Sequence, residues 1–145
     1  MLFEANALVY SLIASWHDIS EKRVPNTLNA LYFFPTAGAG IMAAEDAADY
    51  AGFVIISLAF AYGLFLLRVW GGGDAKCFMA LCSGAPLIAE RTDWLMIPLS
   101  FVVAAFLLVA WRLLNQKPLK GATGFVPFLC AGTLATAALF KSGIV

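Results

Sequence analysis

Residues 50–70 read Tyr-Ala-Gly-Phe-Val-Ile-Ile-Ser-Leu-Ala-Phe-Ala-Tyr-Gly-Leu-Phe-Leu-Leu-Arg-Val-Trp, and their only charge is Arg68. A helix rises about 1.5 Å per residue, so this run reaches across the roughly 30 Å hydrocarbon core of a bilayer. Working outward, comparable runs cover Leu2–Trp16, Leu28–Ala44, Ala75–Ala89, Trp94–Leu114 and Phe125–Val145. The apolar residues come unbroken rather than alternating, which predicts helices and not barrel strands. The expected fold is an all-α membrane protein, a bundle of six transmembrane helices in a single domain over residues 1–145.

Composition agrees. Of the 145 residues, 62% are apolar and 12% charged, against about 45–50% and about 25% in soluble domains. A chain this small cannot bury that much apolar surface inside itself. A soluble enzyme, a basic nucleic-acid binder, a disordered chain and a disulfide scaffold are excluded. Cys77, Cys82 and Cys130 form no Cys-x-x-Cys pair and read as small packing residues, and no metal or cofactor is implied. The N-terminus carries Glu4, lacks a basic segment and has no Ala-x-Ala site before Asp18, so it reads as a retained span rather than a signal peptide.

The net charge of zero conceals an asymmetry. Loops one, three and five hold Lys22, Arg23, Arg68, Lys76, Arg112, Lys117 and Lys120 against Asp18, Glu21 and Asp74, a net +4. The opposite side holds Arg91 and Lys141 against Glu4, Glu45, Asp46, Asp49, Glu90 and Asp93, a net −4. Basic residues flank spans on the cytoplasmic side. The expectation is therefore that both termini lie outside and the basic loops lie in the cytoplasm.

Two carboxyls interrupt the basic side, each where an apolar run meets a loop. Asp18 stands in Trp16-His17-Asp18-Ile19-Ser20-Glu21-Lys22-Arg23-Val24-Pro25-Asn26, and Asp74 in Trp70-Gly71-Gly72-Gly73-Asp74-Ala75-Lys76. Singly, Asp74 reads as a helix cap and Asp18 as an interfacial charge. As a pair they suggest acid–base chemistry, because two close carboxyls in a poorly hydrated site cannot both ionise easily. The charged one takes a proton from water while the protonated one polarises a scissile carbonyl. The glycines leave room for an extended substrate backbone. Gly71–Lys76 lacks the spacing of a phosphate-binding loop.

In these residues the sequence resembles the type IV prepilin peptidases, the Gly-x-Gly-Asp membrane aspartic proteases. Gly71, Gly73 and Asp74 match that motif and Lys76 its extended form, while Asp18 before the basic Val24-Pro25-Asn26 loop is similar to the family's first motif. The resemblance implies Asp18 and Asp74 as catalytic residues, supported by Gly71, Gly73, Lys76, Pro25 and Asn26. It implies an endopeptidase in the cytoplasmic membrane of a prokaryote, cutting the basic leader of prepilins or pseudopilins on the cytoplasmic side, typically after a Gly and just before an apolar helix. Membrane lipid and the prepilin are the expected partners, with no nucleic acid. Larger members carry Cys-x-x-Cys motifs in an N-terminal extension and methylate the new terminus. Their absence points to the short Flp or tight-adherence form, without methyltransferase activity. Archaeal preflagellin peptidases are a related possibility. Presenilin-like proteases also need a Pro-Ala-Leu motif, which this sequence lacks.

Helix electrostatics adds an expectation. Asp74 opens a helix, whose positive end favours its charge, while Asp18 closes one, so Asp18 should hold the shared proton. His17, one position from Asp18, should face elsewhere. Lys22 and Arg23 read as topology anchors that meet anionic lipid, and Glu21 as a solvated charge. Pro25 should start the second helix and Asn26 cap it or position the loop. Pro35, Pro86, Pro98 and Pro127 should kink their helices, and Ala59 with Gly63 should serve close helix packing. Two other function classes compete: a small transporter or proton relay, which needs carboxylates near mid-membrane, and a non-catalytic subunit of a pilus or secretion assembly.

Overall fold

The computed structural model describes residues 2–116 and 124–144. Lys117 and Lys120, used above for orientation, lie outside the described residues. Six helices follow one another: α1 Leu2–Glu21, α2 Asn26–Ala43, α3 Ala47–Leu66, α4 Gly72–Ala89, α5 Met96–Leu114 and α6 Val126–Lys141. The start of α1 and the end of α6 share one end of the bundle, where Lys141 Nζ bonds Glu4 Oε1 at 2.7 Å and Glu90 Oε1 at 2.8 Å.

The bundle is organised around α4. From Ala75 to Ala89 nearly every residue is buried, and most are small: Ala75, Cys77, Ala80, Cys82, Ser83, Gly84 and Ala85. Small side chains let neighbouring backbones approach, and α6, α2, α3 and α1 all pack on this helix. By contrast α1 buries one stripe, Ala7, Tyr10, Ser11, Ala14 and Asp18, at the three- and four-residue spacing of a helix face. Polar groups tie the helices together. Tyr10 stacks on Tyr32 (centroids 4.3 Å apart) and donates to Asn29 Oδ1 at 2.6 Å, and Tyr50 donates to Ser83 O at 2.7 Å. The outer surface is apolar instead, with Leu12, Trp16, Phe34, Met42, Ile55 and Phe106 exposed.

Helices α3 and α5 are long and apolar enough to cross a membrane, with mean hydropathies of 1.7 and 2.2. Only 22% of each apolar window is buried, so neither is the core helix of a soluble protein. Outward apolar side chains over a polar-laced interior suit an apolar solvent.

Several local expectations are corrected. Pro35 and Pro86 lie inside helices, whereas Pro98 and Pro127 lie in first turns, where the missing N–H costs little and no kink is needed. Ala59 is exposed, and a Cβ on Gly63 would meet nothing within 4 Å, so this pair makes no close contact in the bundle. The close approach is instead at Gly132, where a Cβ would stand 2.7 Å from Ser100 O and 2.8 Å from Ala104 N of α5. The apolar run ending at Trp70 is not all helix. After Leu66 the chain turns back and buries Trp70 among Phe60, Phe78, Phe101 and Phe125.

Candidate active site

Asp18 and Asp74 lie at the same end of the bundle, opposite the Lys141 cluster. Asp18 lies within the last turn of α1, on the buried stripe that Ala7, Tyr10 and Ala14 define, and is 8% exposed. Asp74 is the third residue of α4 and half-buried. Gly71 precedes the helix, and its N–H donates to Asp74 Oδ2 at 3.1 Å, so the carboxylate caps its own helix start. Asp18 Oδ2 accepts the Val126 N–H from the first turn of α6 at 3.3 Å.

Both carboxyls lie beyond the apolar runs of their helices. Burial raises Asp18 above its ordinary range, opposed by the Val126 N–H and by Lys22. Burial also raises Asp74, opposed by the Gly71 N–H, and the negative charge of Asp18 adds to the rise. The asymmetry expected from α1 and α4 alone does not hold. Asp18 closes one helix but faces the positive end of another, α6, so each carboxyl has a helix N-terminus beside it.

The supporting residues are divided. Pro25 is the N-cap of α2 with φ −60°, and Asn26 is the first residue of that helix. Asn26 Oδ1 accepts from Lys76 Nζ at 2.9 Å, which joins the two sequence motifs. Gly71 and Gly73 are exposed, and a Cβ at Gly73 would meet nothing within 4 Å. An apolar groove of about 230 Å³, lined by Asn29, Ala30, Phe33, Leu58, Met79 and Ala80, opens beside Lys76.

A family model described as the type IV leader peptidase family matches residues 6–113. The chain belongs to the type IV leader peptidase family. The match takes in both aspartates and the Gly71–Lys76 loop and ends before α6. Comparison with curated proteins and with solved structures found no match. For a type IV leader peptidase family member the implied substrate is a prepilin, and membership suggests aspartic endopeptidase chemistry.

His17 Nδ1 lies 3.1 Å from Glu21 Oε1, on a different face from Asp18. Cys77, Cys82 and Cys130 are free and buried. The Tyr10 hydroxyl reaches Cys77 Sγ at 3.4 Å, one turn inside Asp74. No group of His, Cys, Asp or Glu among the described residues is arranged to hold a metal. The larger cavity, about 490 Å³, lies at the far end beside Tyr50 and Glu90. There Asp46 caps α3 by accepting from Ala48 N at 2.8 Å, and Glu90 is taken by Lys141. What sequence reasoning missed is the segment Gly124–Val126. Pro127 marks a helix start there, but nothing local says that this start faces Asp18.

Proposed function

We propose that Asp18 and Asp74 form the catalytic dyad of a membrane aspartic endopeptidase that removes the leader of type IV prepilins or pseudopilins at the cytoplasmic face. One observation carries the reading. Two carboxyls far apart in sequence occupy one end of the bundle, close enough for the charge of one to act on the other. Such a pair shares a proton at rest. Its ionised member takes a proton from the attacking water, and its protonated member polarises the peptide carbonyl. Exposed, uncrowded Gly71 and Gly73 leave space for an extended backbone, and Lys76 with Asn26 fixes the loop against α2. The apolar groove beside Lys76 suits a cleavage site that adjoins an apolar helix.

Six membrane spans with both termini outside remain our reading of the topology, supported by the apolar exterior and the basic residues at the site end. Peptide cleavage without methylation, as in the short tight-adherence form, is part of the proposal. A proton relay fits less well, because both carboxyls stand at helix ends. The test is co-expression with candidate prepilins. Wild type should shorten the prepilin by its leader, and Asp18→Ala or Asp74→Ala should leave it full length. Cleavage that survives either substitution would sink the aspartic mechanism.

A further inference from the structure

The first turn of α6 lies beyond the residues that the family match covers, yet it is what touches Asp18. Val126 donates to Asp18 Oδ2 at 3.3 Å across 108 positions of sequence. Gly124 stands two residues earlier. A Cβ built there would overlap Asp18 Oδ2 and stand 3.0 Å from Cγ, while Asp18 O, at 3.6 Å, is an ordinary contact. The backbone of Gly124 is not left-handed, so alanine fits its conformation and, among the described residues, collides only with the carboxyl. The glycine is there for room.

We propose that Gly124 is a positioning residue of the active site: its missing side chain lets the Asp18 carboxyl reach the Val126 N–H, and that bond fixes how Asp18 faces Asp74. The proposal rests on the peptidase reading for its kinetic consequences. Lys22 from the end of its own helix acts on Asp18, and the charge of Asp18 acts in turn on Asp74 of α4 and Cys130 of α6. Lys22 favours the carboxylate, as does the N–H at a helix N-terminus, while burial opposes it. A side chain at position 124 pushes the carboxyl off its donor, so Asp18 ionises at higher pH. The same displacement spoils the near-attack geometry, where an error of about 1 Å costs about 10²-fold in rate.

The experiment uses the full chain in lipid nanodiscs as wild type, Gly124→Ala and Gly63→Ala, with two readouts. The first is infrared titration of the Asp18 carboxyl, identified as the band lost in Asp18→Asn. The second is steady-state cleavage of a synthetic prepilin peptide. In Gly124→Ala the Asp18 band should titrate at higher pH, kcat should fall about 10²-fold with KM unchanged, and the acid limb of the rate profile should move up in pH. Gly63→Ala should match wild type throughout. An Asp18 band in Gly124→Ala that titrates as in wild type overturns the proposal, and so does unchanged kcat. Failure of Gly124→Ala to fold also overturns it, since among the described residues alanine should displace nothing but a carboxyl. If the band moves but wild type cleaves no prepilin, the positioning role stands and the peptidase reading fails.

Discussion

Asp18 sits close enough to Asp74 for its negative charge to raise the Asp74 carboxyl, although the two residues come from different ends of two helices. Burial raises both above the ordinary value of 3.8. Just above that pH the folded chain therefore binds more protons than the unfolded chain. Stability is full below 3.8 and falls as pH rises through the raised values. Asp18→Asn and Asp74→Asn should thus resist denaturation better than wild type at neutral pH, with the gain vanishing in acid. Denaturation midpoints in mixed micelles across pH check this. Asn variants that are less stable at neutral pH would contradict it.

The same pairing predicts how one carboxyl responds to loss of the other. In Asp18→Asn the like charge is gone, so Asp74 should titrate at lower pH than in wild type. It should stay above its ordinary range, because its burial remains. Infrared titration of the Asp74 band reads this directly. An unmoved band would mean that the two groups do not interact.

Close packing of α5 on α6 makes Gly132 a demanding position away from the site. A side chain there meets backbone atoms, Ser100 O and Ala104 N, which cannot rotate away. Gly132→Val should destabilise the fold by about 1–3 kcal/mol, the usual range for overpacking. The change in unfolding midpoint, measured at constant lipid composition, checks the direction and size.

Between α1 and α2, the Tyr10 hydroxyl is shared by Asn29 Oδ1 and Cys77 Sγ. Tyr10→Phe keeps the stack on Tyr32 and removes only the hydroxyl. The expected loss is about 1 kcal/mol, in the range measured for hydrogen bonds between helices in membranes. Tyr10→Phe combined with Asn29→Leu should cost less than the two single losses added, as a double-mutant cycle on unfolding would show.

How much of this was legible in the sequence follows from what hydropathy measures. The count of six helices came from the apolar runs, which mark contact with an apolar medium rather than helix ends. Helix α1 continues past Trp16 to Glu21 because its last turn points His17 and Glu21 outward and Asp18 inward. The run through Trp70 overshoots α3 because an apolar residue that plugs a loop looks the same as one in a span. Asp18 and Asp74 stood out because they are carboxyls at run edges on the otherwise basic side, and a motif joined them. The Lys76–Asn26 bond and the contact of α6 with Asp18 were not legible. They depend on which helices pack side by side, and no local pattern records that.

The central claim is that the two aspartates act as one unit in peptide cleavage. Single-turnover cleavage of a synthetic prepilin by purified wild type, Asp18→Asn, Asp74→Asn and the double variant tests it most directly. Groups that act as a unit are non-additive, so losing one costs about as much as losing both. Each single variant should lose at least about 10³-fold in rate, and the double variant no more than the worse single. Substantial cleavage by either single variant, or losses that multiply in the double, would contradict the dyad.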